Sequence, residues 1–378
     1  MERNLSSTPV QSIDQSILTP IVCKAVHRDT INIQEWSVSQ LGGGAGNPVS
    51  VGLYRFEGIG QDQDERIPWS IILKVIQSPA NAGMENFGEG EDQTHWNYWK
   101  REPLIYQSGL LESIPGLTAP RCFSVGEIPG NIIWLWLEDI TDTYGGDWPL
   151  DRYALAARHL GQFNGIYISE RSLPSFPWFS RHRIQQWIDV TPWQTIPWDY
   201  PQVLERYPRL EMDSFQHMLA ENERFLEKLE LLPQTLCHGD TYPTNFMARD
   251  LPNGQQQTVA LDWALAGIAP VGADLGQLVF GAQNNLKEVN RVEVDNTLFE
   301  NYLDGLKDSG GKIDPQLVRF GYTAFAALQV GLFQIYWLSE SLKESGTMIE
   351  RAIEDPAMPD CFEVVMANEA YKSLNVIR

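Results

Sequence analysis

His238-Gly239-Asp240-Thr241-Tyr242-Pro243-Thr244-Asn245, followed by Leu261-Asp262-Trp263, is the stretch that decides how this chain folds and what chemistry it can carry. Thr235 to Met247 reads as a loop leaving a short apolar run, and Val259 to Trp263 as the strand that follows it. Gly239 permits a sharp backbone turn. An Asp on such a loop with an Asn five residues on can point one group at a reacting hydroxyl and the other at a cation. Asp262, at the end of a short apolar strand, is placed to reach the same cation. Each residue alone has an ordinary explanation, since Asp and Asn are turn formers and a loop histidine is usually a packed organiser. The combination of a carboxylate, oxygen ligands for Mg2+ and a second Asp on a following strand is what phosphoryl transfer requires.

Outward from that stretch, the first half has strand character. Ser37–Leu41 runs into the glycine cluster Gly42 to Asn47, and Val49 to Phe56 alternates, so strand, turn, strand is expected. Gly58 to Pro68 is polar and reads as a long hairpin loop. Trp69 to Ile76 (WSIILKVI) is a nearly continuous apolar run interrupted by Lys74, the sign of a buried strand. A buried ammonium is costly without an anion beside it, so Lys74 predicts one. Ser78 to Asp92 reads as a loop. Trp96 to Leu111 has helical spacing and contains Glu102, with Pro103 marking a start or kink. Arg121 to Gly126 and Asn131 to Leu137 read as strands joined at Pro129-Gly130.

Past Asp139 the pattern turns helical. Asp151 to Ile168 is periodic with Asp151 near its cap, Leu173 to Pro208 is crowded with Pro and Trp, and Asp213 to Leu231 reads as one amphipathic helix. Phe320 to Leu338 is the most apolar segment, but Thr323, Gln329 and Gln334 suit a buried helix better than a membrane span. Met1 to Thr19 is polar and carries no signal-like apolar run.

The chain has 378 residues, 43% hydrophobic, and a formal net charge of −21. That length suits two units with a substantial core. The acidity disfavours nucleic-acid backbones and anionic membrane surfaces and favours cationic ligands. Cys23, Cys122, Cys237 and Cys361 are far apart and form neither a zinc pattern nor a disulfide framework, as expected of reduced thiols in a cytoplasm.

HGDTYPTN, then ALDW, then Ala273-Asp274-Leu275 resembles the aminoglycoside phosphotransferase and choline kinase superfamily, from about Val38 to beyond Gly321. The resemblance implies an α+β, bilobal protein-kinase-like fold. A small antiparallel-sheet nucleotide-binding lobe would span residues 1–139, and a larger, mainly helical lobe residues 140–378. It implies ATP and Mg2+ as cofactors, Asp240 as catalytic base, Asn245 and Asp262 as metal ligands, and Asp274 as a brace for the catalytic loop. Lys74 would contact the α- and β-phosphates and pair with Glu102. Gly43, Gly44, Gly46 and Asn47 would cover the phosphates, and the backbone of Leu137 and Asp139, within WLWLEDI, would receive adenine with Trp136 behind it. Two departures stand out: Ala264 replaces an acid common in relatives, and the glycine loop lacks a regular GxGxxG. Acceptors in the family include aminoglycosides, choline, sugars and amino alcohols. A small molecule, cationic or ring-bearing, is expected here, bound near Trp178, Trp187, Trp193 and Trp198. A peptide Ser/Thr kinase and a nucleotide-binding pseudokinase are the alternatives. Oligomeric state is not legible.

Overall fold

The computed structural model describes residues 9–42, 49–82, 90–112, 114, 116–195, 201, 209–343, 362–374 and 377. The chain is α+β and divides into two compact units. The first comprises Met1–Glu91, Pro103–Glu112 and Ala119–Thr141; the second comprises Asp92–Glu102, Ser113–Thr118 and Asp142–Arg378.

In the first unit the β-branched and aromatic runs pair into an antiparallel sheet of order β1-β2-β3-β6-β5. Its strands are β1 (Asn32–Leu41), β2 (Ser50–Asp62), β3 (Glu65–Gln77), β5 (Cys122–Ile128) and β6 (Ile132–Glu138). β3 is central and buried on both faces from Ile71 to Ile76, which is why its sequence is continuous rather than alternating. Helix α1 (Gln15–Val26) covers one face with Leu18, Ile21 and Val22 against Phe56, Ile71, Leu73 and Trp136. Ile72, Leu135 and Leu137 form the core of the other face. Lys74 pairs with Leu135 and, by alternation, shares that second face with Ile72.

One expectation for this unit is corrected. Gly58 to Pro68 is not a long loop. The strands β2 and β3 pair as far as Asp62 and Glu65 and close in the two-residue turn Gln63-Asp64, with Gln63 left-handed at φ 52°. The polar residues there decorate the exposed end of a long hairpin, where Arg28 bridges Asp62 and Glu65. The segment 15–26 is a helix despite Pro20, capped by Asp14, whose carboxylate accepts from the Ser16 and Ile17 amides.

The second unit begins with the last residues before helix α2 (Arg101–Gln107), which is much shorter than the expected Trp96 to Leu111. It continues with β4 (Leu117–Thr118), α3 (Leu150–Ser169), α4 (Arg183–Val190), α5 (Arg209–Ala220) and α6 (Asn222–Glu230). Pro149 takes the cap position of α3, with Asp151 in its first turn as expected. The expected single helix over Asp213 to Leu231 is two: Glu221 leaves helical geometry at φ −100°, ψ 21°, and the Asn222 side chain donates back to the Leu219 carbonyl.

Short strands follow. β7 (Gln234–Cys237) pairs with β10 (Gly267–Pro270), and β4, β9 (Gln256–Ala260) and β8 (Phe246–Asp250) form a three-stranded sheet. Helices α7 (Leu275–Asn285), α8 (Arg291–Asp308), α9 (Pro315–Lys343) and α10 (Phe362–Leu374) complete the described chain. Among the described residues no helix is long and apolar enough to cross a membrane.

Helices α3 and α8 touch backbone to backbone. A Cβ on Gly161 would lie 2.2 Å from the Tyr302 carbonyl oxygen, and one on Gly305 would lie 2.0 Å from the Arg158 carbonyl oxygen. This contact seats Asn164 of α3 beside Tyr302 of α8, whose hydroxyl donates to the Asn164 Oδ1 at 2.8 Å. Gly161→Ala must therefore push the helices apart and should cost about 1–3 kcal/mol, the usual scale of overpacking. Urea denaturation checks this, and an unchanged midpoint would mean that the seam yields freely.

Candidate active site

The loop His238–Asn245 leaves β7 and is built around one buried carboxylate. Asp274, 2% exposed, accepts from the His238 amide at 2.8 Å and the Gly239 amide at 2.9 Å, one on each oxygen. The Asn164 side-chain amide adds a third bond at 3.3 Å. Thr241 closes the turn, its hydroxyl donating to the Asp274 carbonyl and its amide to Gln277 Oε1 at 2.8 Å. Gly239 is left-handed at φ 85°, and a Cβ there would lie 2.2 Å from the Leu265 carbonyl oxygen, so only glycine fits.

His238 is fully buried and carries a defined tautomer. Its Nε2 faces the Leu261 carbonyl at 2.8 Å and so bears the proton, while Nδ1 accepts from the Asp240 amide at 3.1 Å. Burial holds it below the ordinary histidine range, against the opposing pull of Asp274. It is a loop organiser, packed edge-on against Trp263 at 4.5 Å, not a proton carrier.

Asp240, Asn245 and Asp262 are half-buried, unlike the braces beneath them. The Asn245 side-chain amide donates to Asp240 twice, to the carbonyl at 3.0 Å and to carboxylate Oδ2 at 2.9 Å. The Asn245 carbonyl accepts from the Leu261 amide at 2.8 Å, tying it to the residue before Asp262. Asp262 is left-handed at φ 56°, an uncommon conformation for a residue with a side chain. With its NH2 spent on Asp240, Asn245 has its amide oxygen left to offer. An amide oxygen beside a carboxylate suits a hard cation such as Mg2+, which takes few protein ligands and completes its shell with water and phosphate oxygens.

Two arginines hold this arrangement and were not legible in the sequence. Arg183 of α4, buried, donates from Nη1 to the Gly239 carbonyl at 2.6 Å and reaches the Leu265 carbonyl at 3.4 Å. Arg101, 0% exposed, donates to four carbonyls: Trp178 at 2.7 Å, Trp96 and His95 at 2.5 Å, and Ala264 at 3.1 Å. Burial first, and then the charge of Arg183, bring its pKa down to about 9. Four charge-assisted bonds at about 1.5–3 kcal/mol each are enough to offset the several kcal/mol of burying a guanidinium. Ala264, which stands where an acid was expected, thus lends its carbonyl to a cation.

The remaining expected residues are distributed as follows. Lys74 is 8% exposed on β3 of the first unit, and Glu102 is 2% exposed in the first turn of α2, within the second unit. Leu137 has strand partners on both sides, Ile72 and Cys122, so its backbone belongs to the ladder. Asp139 lies just past the strand, where its carboxylate pairs with Arg55 at 2.8 and 3.0 Å and accepts from the Ser70 hydroxyl. Gly43, Gly44, Gly46 and Asn47 lie outside the described residues, as does Trp198. Trp178 is core, stacked on Phe176 at 5.0 Å, and Trp187 packs edge-on against Trp96 at 5.3 Å.

Residues 117–315 match the model of the phosphotransferase enzyme family, a span that includes the loop, Asp262 and Asp274 but not Lys74 or Glu102. No curated protein sequence matches the chain. Among solved structures it is similar to an amicoumacin kinase in complex with AMP-PNP, Ca2+ and Ami, at 13% identity over 88% of each chain and a TM-score of 0.53. The choline kinase of Streptococcus pneumoniae aligns at 15% identity over 91% of this chain and 94% of its own, with a TM-score of 0.43. A spectinomycin phosphotransferase aligns at 12% over 96% and 99%, with a TM-score of 0.46. At these identities the likeness is one of fold, and the first structure alone of the three carries it.

Burial of His238 has a consequence for stability. Burial, and then the charges of Arg152 and Arg158, bring His159 down to about 4, and its Nδ1 receives the Thr258 hydroxyl at 2.9 Å. The unfolded chain protonates both near pH 6.5, whereas burial in the folded chain opposes protonation, so stability should fall as pH drops below that value, for His159 by about 1.4 kcal/mol per pH unit until pH nears 4. The net charge of −21 shrinks over the same range and acts the other way. Urea unfolding between pH 7.5 and 5.0, compared with His159→Gln, isolates the effect: the variant's stability should depend less steeply on pH, and equal slopes would contradict the assignment.

Proposed function

Because the chain belongs to the phosphotransferase enzyme family, we propose that it moves the γ-phosphoryl group of ATP to a hydroxyl of a small-molecule acceptor. The observation that carries this reading is the 2.9 Å bond from the Asn245 amide to the Asp240 carboxylate, on a loop clamped by Asp274. A carboxylate fixed in this way can orient an acceptor hydroxyl and take its proton as the oxygen attacks phosphorus. The hydroxyl proton passes to Asp240, the new O–P bond forms, and ADP leaves with the bridging oxygen.

Asn245 and Asp262 are the residues proposed to hold Mg2+. When bound, the cation supplies charge neutralisation at the phosphate oxygens. Asp262 owes its direction to the left-handed backbone, and Asn245 owes its own to the two bonds with Asp240. Lys74, held in an apolar strand, is the proposed cation for the α- and β-phosphates, and the chain past β6 at Asp139 is the proposed contact for adenine. The acceptor we propose is cationic or carries a ring. The net charge of −21 and the Trp96–Trp187 pair support that preference, since cation–aromatic contacts contribute about 0.5–2 kcal/mol each.

Two sets of variants test the assignment. Asp240→Asn should lower turnover by about 10²–10⁴-fold while MgATP affinity changes little. ATP consumption against a mixed acceptor panel, with mass spectrometry of products, reads the first quantity and calorimetry the second. Near-normal turnover would remove Asp240 from the role of base. Lys74→Ala and Asp262→Ala should each weaken MgATP binding, and unchanged affinity and turnover in both would dismantle the nucleotide assignment.

A further inference from the structure

A planar peptide unit lies on either side of the Asp240 Cα, and fixing both planes fixes the direction of the side chain between them. The plane before Asp240 is held at both ends. The Gly239 carbonyl accepts from Arg183 Nη1 at 2.6 Å, and the Asp240 amide donates to His238 Nδ1 at 3.1 Å. The plane after it is held at its carbonyl end by the Asn245 side-chain amide at 3.0 Å. Its other end is the Thr241 amide, which donates to Gln277 Oε1 at 2.8 Å. Gln277, 4% exposed on α7, is thus the fourth tie on the two planes.

Helical spacing puts Gln277, Phe280 and Gly281 on one face of α7, and that face meets the loop residue by residue. Gln277 holds Thr241, Phe280 packs edge-on against Tyr242 at 6.0 Å, and a Cβ on Gly281 would lie 2.2 Å from Pro243 Cδ. Phe280 is backed in turn by Phe362 at 5.2 Å. With its oxygen given to Thr241, Gln277 has its NH2 for the Tyr242 hydroxyl, which it also engages. Burial, and then the Asp240 charge, hold that phenol above its ordinary range, so Tyr242 stays neutral.

We propose that Gln277 is a positioning residue for Asp240: by holding the Thr241 amide it fixes the second peptide plane, and so the direction in which the carboxylate meets an attacking hydroxyl. This role rests on the phosphotransfer reading. A glutamine that only satisfied a buried donor would contribute to stability and nothing else.

Three variants separate the two roles. Gln277→Met keeps the length of the side chain and removes the acceptor, whereas Gln277→Glu keeps an acceptor oxygen for Thr241. Gln283, also buried on α7, donates to the Arg291 carbonyl at 3.0 Å rather than to the loop, so Gln283→Met controls for a lost bond on the same helix. With MgATP as substrate and water as acceptor, Gln277→Met should lower kcat roughly 10–100-fold, the scale of a misplaced reacting group, with little change in KM for MgATP. Gln277→Glu should restore most of that loss, and Gln283→Met should lower Tm without changing kcat. Amide hydrogen exchange across residues 238–245, read without turnover, should quicken in Gln277→Met and not in Gln277→Glu. Parental kcat or parental exchange in Gln277→Met, no recovery in Gln277→Glu, or an equal loss of kcat in Gln283→Met would overturn the positioning role. A parent chain that neither binds nor hydrolyses MgATP would overturn the phosphotransfer reading itself, a result distinct from each of these.

Discussion

The Asp274 carboxylate is the contact on which the catalytic loop depends. A loop that turns sharply after a strand leaves backbone N–H groups pointing inward, and those of His238 and Gly239 are buried with no strand to receive them. Asp274 receives one on each oxygen. An amide side chain offers only one acceptor atom, so the position calls for a carboxylate rather than Asn. Once the amides are fixed, Gly239 presents its carbonyl to Arg183, His238 presents Nδ1 to the Asp240 amide, and Asp240 emerges on the solvent side.

Burial separates two kinds of residue here. His238, Thr241, Asp274, Arg101 and Arg183 are buried, and each is engaged with backbone groups. Asp240, Asn245 and Asp262 are half-buried. Rigid support beneath and access above is the arrangement in which a carboxylate can be held in one orientation and still meet a ligand. The arginines suit this work because a guanidinium has five donors and can hold several carbonyls at once.

The loop was legible in the sequence because its signal is local: eight consecutive residues and a strand shortly after contain the carboxylate, the amide and the glycine that their geometry needs. The apolar run of β3 was legible for the same reason. Arg101 and Arg183 were not, since the partners that fix their roles lie far along the chain: Arg101 reaches Trp178 across 77 residues and Ala264 across 163, and Arg183 reaches Gly239 across 56. Nothing in KREPLIY or SRHRI distinguishes a buried guanidinium from a solvated one. Asn164 reaches Leu236 across 72 residues and was equally silent. Polar strand ends misled in the opposite direction. The hairpin arms past Gly58 are exposed enough to tolerate charge, and α1 buries enough on one face to tolerate the bond lost at Pro20.

The way the backbone weaves between the two units sets a limit on dissecting them. Asp92–Glu102 and Ser113–Thr118 belong to the second unit, although both precede the last strands of the first. A fragment starting at Asp142 would lack Arg101, whose four carbonyl bonds pin the segments around Trp178 and Ala264. It would also lack β4, the parallel partner of β9 at one edge of the three-stranded sheet. Its complement would carry two orphaned segments with nothing of their own to pack on. Neither unit can therefore be excised by a single cut, and any exchange of units between homologous proteins has to respect four crossing points besides the one at Asp142.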